Sequence, residues 1–127
     1  MNSQTLLHRQ VNPFFMEKDR VTSQVFRPTP KDGKMLSVSD GDQITAEQSY
    51  KRFITVPLGN SIGVLSVSVE ECLSLDVPPV SDPRPEEMQP DHCFIDFREK
   101  SNSQIEKTAV KLRDNAISRR WSHGPVY

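Results

Sequence analysis

Apolar residues along the first hundred positions come in short runs bounded by turn formers, and only the last quarter of the chain carries a long helical repeat. Residues 6–11 (Leu-Leu-His-Arg-Gln-Val) read as a short strand ended by the Asn12-Pro13 breaker. Residues 14–16 and 21–26 read as two extended segments around a polar turn at 17–20. Val21, Ser23 and Val25 would share one face there, and Thr22, Gln24 and Phe26 the other. That alternation is not clean, so both faces are expected to be partly covered. Residues 27–33 (Arg-Pro-Thr-Pro-Lys-Asp-Gly) form a stiff connection, because each proline fixes its own φ and pushes the residue before it to an extended conformation. A brief strand at 35–38 and a tight turn at 39–42 follow. Residues 63–69 make the strongest strand pattern in the chain and are expected to sit centrally in a sheet. Residues 93–97 form the last strand.

Helices are announced by capping boxes, in which a hydroxyl and a Glu or Gln three residues later satisfy each other's free amides. Thr45-Ala46-Glu47-Gln48 opens a helix of about ten residues with Ala46, Tyr50, Phe53 and Ile54 on its apolar side, ending before Pro57. Ser68-Val69-Glu70-Glu71 predicts one or two turns through Cys72 and Leu75. Ser103-Gln104-Ile105-Glu106 opens the longest helix, running to about Trp121. Its stripe is Ile105, Ala109, Leu112 and Ala116, widened by Val110 and Ile117. Lys107, Lys111, Arg113, Arg119 and Arg120 face outward. The expected fold is α+β: a mixed, mostly antiparallel sheet of about five short strands with two main helices, the longer one C-terminal.

Composition refines this picture. The chain has 127 residues, 35% of them hydrophobic and 26% charged, with ten prolines. That length fits one domain, which buries roughly two thirds of its unfolded surface. The core is expected over about 6–121, with a proline-rich acidic loop at 77–91 and a flexible tail at 122–127. Cys72 and Cys93 are the only cysteines, too few for a disulfide framework or a four-ligand zinc site, and they read as small apolar residues in a reducing compartment. The N-terminus lacks the basic and apolar pattern of a signal peptide, and the 54–69 run is broken by Pro57, Gly59 and Asn60. A soluble, cytoplasmic protein with no membrane partner, no metal and no cofactor is the expectation. The net charge of -1 conceals an asymmetry. Residues 70–97 hold eight acids and one base, and residues 98–121 seven bases and three acids.

No Gly-rich phosphate loop, GxSxG elbow or HExxH string is present, and Asp40-Gly41-Asp42 lacks the rest of a calcium loop. Two histidines remain of interest beside the tail's His123. His8 on the first strand and His92 before the last could form a metal-free phosphodiester or phosphoryl-transfer pair, one as base and one as acid. Arg9 or Arg27 would meet the phosphorane charge, and Thr22, Ser23 and Gln24 would add donors if their strand paired with the first. The plainer reading makes the two histidines separate, hydrogen-bonded strand-end residues. The 27–32 arm carries Arg27, Thr29, Lys31 and Asp32 on a stiff backbone suited to docking with little entropy loss. It is either an anion cradle, a partner-binding edge or a plain crossover.

The strings at 7–11, 22–32 and 36–44, the strand–helix junction at 63–71 and the proline-rich loop ending in a histidine together resemble a group of small bacterial proteins with no established activity. The similarity spans about residues 6–121. The resemblance implies a bacterial, stand-alone cytosolic protein in which His8, the 22–32 string and His92 belong together. The functional expectation is a small accessory protein, antitoxin-like or defence-associated, that binds a protein partner through the Arg27–Asp32 arm (Thr22, Ser23, Gln24, Arg27, Thr29, Lys31, Asp32). The alternative is a metal-independent nuclease or phosphotransferase using His8, Arg9 and His92. A third reading is nucleic-acid binding by the basic C-terminal helix, for which Trp121 alone offers no stacking platform. The sequence sets no oligomeric state.

Overall fold

The structure, a computed structural model, describes residues 1–57 and 59–126. Leu58, inside the 54–69 run, and Tyr127, at the end of the tail, lie outside the described residues. Seven strands form in chain order: β1 Leu6–Gln10, β2 Met16–Glu17, β3 Arg20–Val21, β4 Met35–Asp40, β5 Val64–Ser68, β6 Pro79–Ser81 and β7 His92–Asp96. Three helices, α1 Ala46–Ile54, α2 Val69–Ser74 and α3 Asn102–Arg119, join them. Five strands make one antiparallel sheet in the order β5-β1-β4-β7-β6, and β2 pairs with β3 in a separate hairpin. The fold is α+β.

Strand register sorts side chains into two unlike faces, since paired residues point the same way and alternate along each strand. Leu7 opposite Val67, Leu36 opposite Ile95 and Val38 opposite Cys93 share one face. All six are buried in the core. Helix α3 closes that face with Ile105, Ala109, Leu112 and Ala116, the stripe its sequence predicts. Ile117 is 42% exposed, so the stripe is narrower than expected. Its N-cap is Ser101, not Ser103. Both strings fit a capping box, but the earlier start lets Ser101 and Gln104 exchange bonds of 2.8 and 3.3 Å and gives the Ile105 amide the Ser101 carbonyl at 2.9 Å.

Three sequence expectations change. The second extended segment expected at 21–26 stops at Val21, the end of β3: a 3-10 turn spans Ser23–Phe26 and buries the consecutive Val25 and Phe26 against the core. A single turn can bury two neighbouring residues where a strand would turn one outward, which is why the alternation there is not clean. β5 is an edge strand rather than a central one. All five of its residues are nevertheless buried. Helices cover it, and the C-terminal tail, expected to be flexible, lies along its open edge. The Val64 amide donates to the His123 carbonyl at 2.9 Å, and the Ser122 amide to the Val64 carbonyl at 2.9 Å. Tyr50 of α1 stacks on His123 with ring centroids 4.7 Å apart. The proline-rich loop holds β6 and a 3-10 turn at Pro85–Glu87.

The other face of the sheet is mostly polar. His8, Ser39 and His92 stand in register across β1, β4 and β7, with Ser66 opposite His8 on β5. Helix α1 crosses this face, started by the Thr45–Gln48 box. It turns Ala46 and Ser49 inward, whereas Ile54 is 42% exposed. The Gln10 amide donates to the Ser49 hydroxyl at 3.0 Å, which fixes the helix over β1.

Candidate functional site

Between α1, the polar sheet face and the 84–89 turn lies an open cleft of about 420 Å³. The strands contribute His8, Arg9, Gln10, Ser37, Ser39 and His92. Helix α1 and its C-terminal side add Ser49, Arg52, Phe53 and Val56, and Arg84, Glu87 and Gln89 close the rim. Asn12 and Phe15 complete the wall.

Arg9 alternates with His8 and pairs with Leu65, so it leaves β1 on the core side, yet it is also among the residues lining the cleft. Its Nε donates to the Val25 carbonyl at 2.8 Å and its Nη1 to the Ser37 carbonyl at 3.0 Å, while the guanidinium lies 5.8 Å from the centre of the Phe15 ring. Burial pulls its pKa down to about 10, partly opposed by the charge of Asp32. No carboxylate among the described residues forms an ion pair with it, and Nη2 has no protein acceptor there. The other two arginines of the cleft are neutralised. Arg52 grips Asp91 with Nη1 and Nη2 at 2.7 and 2.8 Å. Arg84 places Nε and Nη2 on Asp82 Oδ2 at 3.1 and 3.0 Å and lies 3.7 Å from Glu87. Arg9 is thus the arginine of the cleft that no carboxylate among the described residues contacts, Asp32 acting on it only at a distance.

The two histidines share this cleft and flank Ser39, two strand spacings or roughly 10 Å apart along the sheet. They are differently occupied. His8 Nδ1 lies 2.7 Å from Ser66 Oγ, which lies 2.7 Å from Ser122 Oγ, and the Ile44 carbonyl also faces the ring. Burial lowers the His8 pKa, outweighing that carbonyl and the charges of Asp40 and Asp91. His92 Nδ1 sits 3.2 Å from both the Asp82 carbonyl and its carboxylate, and Nε2 sits 3.2 Å from Ser37 Oγ.

Comparison with protein-family models, with curated proteins and with solved structures finds no match. The chemistry of the site therefore rests on its geometry.

That geometry gathers His8, Arg9 and His92 but not the arm. Thr22 gives its hydroxyl to the Phe15 carbonyl at 2.8 Å, and neither it nor Ser23 nor Gln24 lines the cleft or pairs with β1. Only the Val25 carbonyl from that stretch reaches Arg9. Arg27 lies on the opposite side of the sheet, 3.6 Å from Glu106 of α3. Thr29 donates its amide and hydroxyl to Asp32 Oδ2 at 3.1 and 2.7 Å, closing the arm into a capped turn, and Lys31 is exposed. Ser37, Ser39, Ser49, Arg52, Asp82 and Arg84 were missed. Ser37 and Ser39 carried a signal, alternating with Leu36 and Val38 as a polar face would. Ser49 carried another, sitting three residues after Ala46 and four before Phe53 on the inward face of a helix.

Proposed function

We propose that the cleft binds a small anionic ligand, one bearing a carboxylate or phosphate group, with Arg9 as its anchor. The observation that carries this reading is the half-buried guanidinium with two donors fixed on carbonyls and none on a carboxylate. A guanidinium so held is pre-organised, and an incoming anion gains charge-assisted bonds without first displacing a protein acid. Ser37, Ser39 and Ser49 supply neutral hydrogen-bonding groups around it, and Phe15, Phe53 and Val56 offer apolar surface to the organic part of a ligand. Acid–base chemistry by a His8–His92 pair has less support, because His8 is engaged by Ser66 and the Ile44 carbonyl. Partner binding by the arm also has less, because Arg27 faces Glu106 at 3.6 Å and Asp32 is bonded by Thr29, which leaves Lys31 as the arm's outward cation. The basic face of α3 is reduced in the same way: Arg119 donates to Glu71 at 2.8 Å and to the Ser66 carbonyl at 3.0 Å, and Arg113 pairs with Asp114.

Calorimetric titration with inorganic pyrophosphate tests the anchor. The protein is expected to bind it, with affinity reduced about tenfold or more in Arg9→Met and unchanged in Lys31→Met. Equal affinities in the parent and Arg9→Met proteins would remove Arg9 from the site and with it this reading.

A further inference from the structure

We infer that Ser37 is a nucleophile for acyl transfer, with His92 as its general base and Asp82 as the group that orients the imidazole. The three residues come from neighbouring strands of one sheet. Ser37 lies on β4 and His92 on β7, and Asp82 directly follows β6, where its amide donates to the His92 carbonyl at 2.9 Å. Rigid elements, not a loose loop, therefore set their spacing.

The tautomer follows from the partners. His92 Nδ1 faces only acceptors, hydrogen-bonding the Asp82 carbonyl at 3.2 Å with the Asp82 carboxylate also 3.2 Å away, so Nδ1 carries the ring hydrogen. Nε2 is left with its lone pair toward Ser37 Oγ at 3.2 Å, and the hydroxyl must donate to it. This is the arrangement by which a base takes a serine proton while a carboxylate holds the ring and stabilises the imidazolium. Each member is placed for its part. Ser37 is exposed in the cleft, His92 is 7% exposed, and the Asp82 carboxylate is itself pinned by two bonds from Arg84. The fourth requirement is a positive group beside the forming oxyanion. Arg9, which lines the cleft and bonds the Ser37 carbonyl through Nη1, is assigned this part. For this last component the assignment rests on the anion-binding reading above.

The substrate class is a small ester or thioester. Ser37 Oγ attacks the carbonyl carbon and passes its proton to His92 Nε2. The tetrahedral oxyanion forms beside Arg9. On collapse the bond to the leaving oxygen or sulfur breaks, and that atom takes the proton from His92. Water then attacks acyl-Ser37, again giving a proton to His92. The carboxylic acid departs, and the proton returns to Ser37. The balance needs only water.

A fluorophosphonate probe tests the relay on the full chain, because it forms an Oγ–P bond with loss of fluoride only at an activated serine. Peptide mass mapping is expected to place the adduct on Ser37 and to find none on Ser37→Ala. Labelling should slow about 100-fold or more in His92→Gln and measurably in Asp82→Asn, whose exposed side chain makes it the safer variant for folding. No adduct on Ser37, or the same rate in both the Asp82 and His92 variants, overturns the relay. Pyrophosphate titration of the same samples separates the two readings. Pyrophosphate bound through Arg9 with Ser37 unlabelled overturns the relay alone. Ser37 labelled with pyrophosphate indifferent to Arg9→Met supports the relay and overturns the anchor.

Discussion

Arg52 puts two N–H groups on Asp91, whose side chain is 3% exposed. Burial alone would raise the Asp91 pKa, but the hydrogen bonds and charge of Arg52 outweigh it and hold the carboxyl below its ordinary value. Removing one partner leaves a buried charge unpaired, which costs far more than the net contribution of the intact pair. Arg52→Met is therefore expected to lose about 3 kcal/mol in urea unfolding. Lys51→Met, which breaks the exposed pair with Glu47, should leave the unfolding midpoint near that of the parent. His8 gives a pH dependence of definite sign. Its folded pKa is below the ordinary 6.5, so between those two values the unfolded chain binds a proton that the folded chain refuses. Stability therefore falls as pH drops through about 6.5 and levels once the folded pKa is passed. Thermal melts from about pH 7.5 to about pH 5.5 should show this loss in the parent and a smaller one in His8→Asn. An equal loss in both would assign the effect elsewhere.

At the scale of elements, capping boxes made the helices readable. For α1 and α2 the groups that mark the start in sequence are those that close the helix in space, whereas α3 uses the neighbouring box two residues earlier, at Ser101 and Gln104. Strand order was not readable, because continuous apolar burial looks alike in a central strand and in an edge strand covered from outside. β5 is the second kind, and what covers it is the tail. Gly63 permits that covering by close approach: a Cβ there would stand 2.5 Å from the His123 carbonyl oxygen and 2.9 Å from the Trp121 ring. Gly63→Ala is expected to lift the tail, exposing the Val64 amide and breaking the Ser66–Ser122 contact. Amide hydrogen exchange at Val64 should then quicken markedly while exchange in α3 stays near the parent value. Unchanged protection at Val64 would contradict this account of the edge.

Over the whole molecule, one sheet separates a core from a site. The core face was legible, since Leu7, Leu36, Val38, Val67 and Ile95 are apolar at strand spacing and α3 supplies the matching stripe. The site face was half legible. His8, Arg9 and His92 were recognisable as chemistry, but serines facing a cleft look like serines facing water, and only the pairing of β1, β4 and β7 makes them neighbours. Asp82 and Arg84 lay hidden in an acidic, proline-rich loop with no motif to mark them, although its acids meet Arg52, Arg84 and His92 around the cleft. The Arg27–Asp32 arm drew attention because its string is unusual, and in the fold Arg27 and Asp32 turn to their own neighbours while Lys31 stays exposed. The most direct measurement is a nitrogen-15 NMR titration with pyrophosphate, read at backbone amides and at the Arg9 Nε–H. The account predicts shifts at Arg9, Ser37, Ser39 and Ser49, with residues 29–33 and the Lys107–Lys111 face of α3 unmoved. Shifts confined to the arm or to α3, with Arg9 silent, would contradict it.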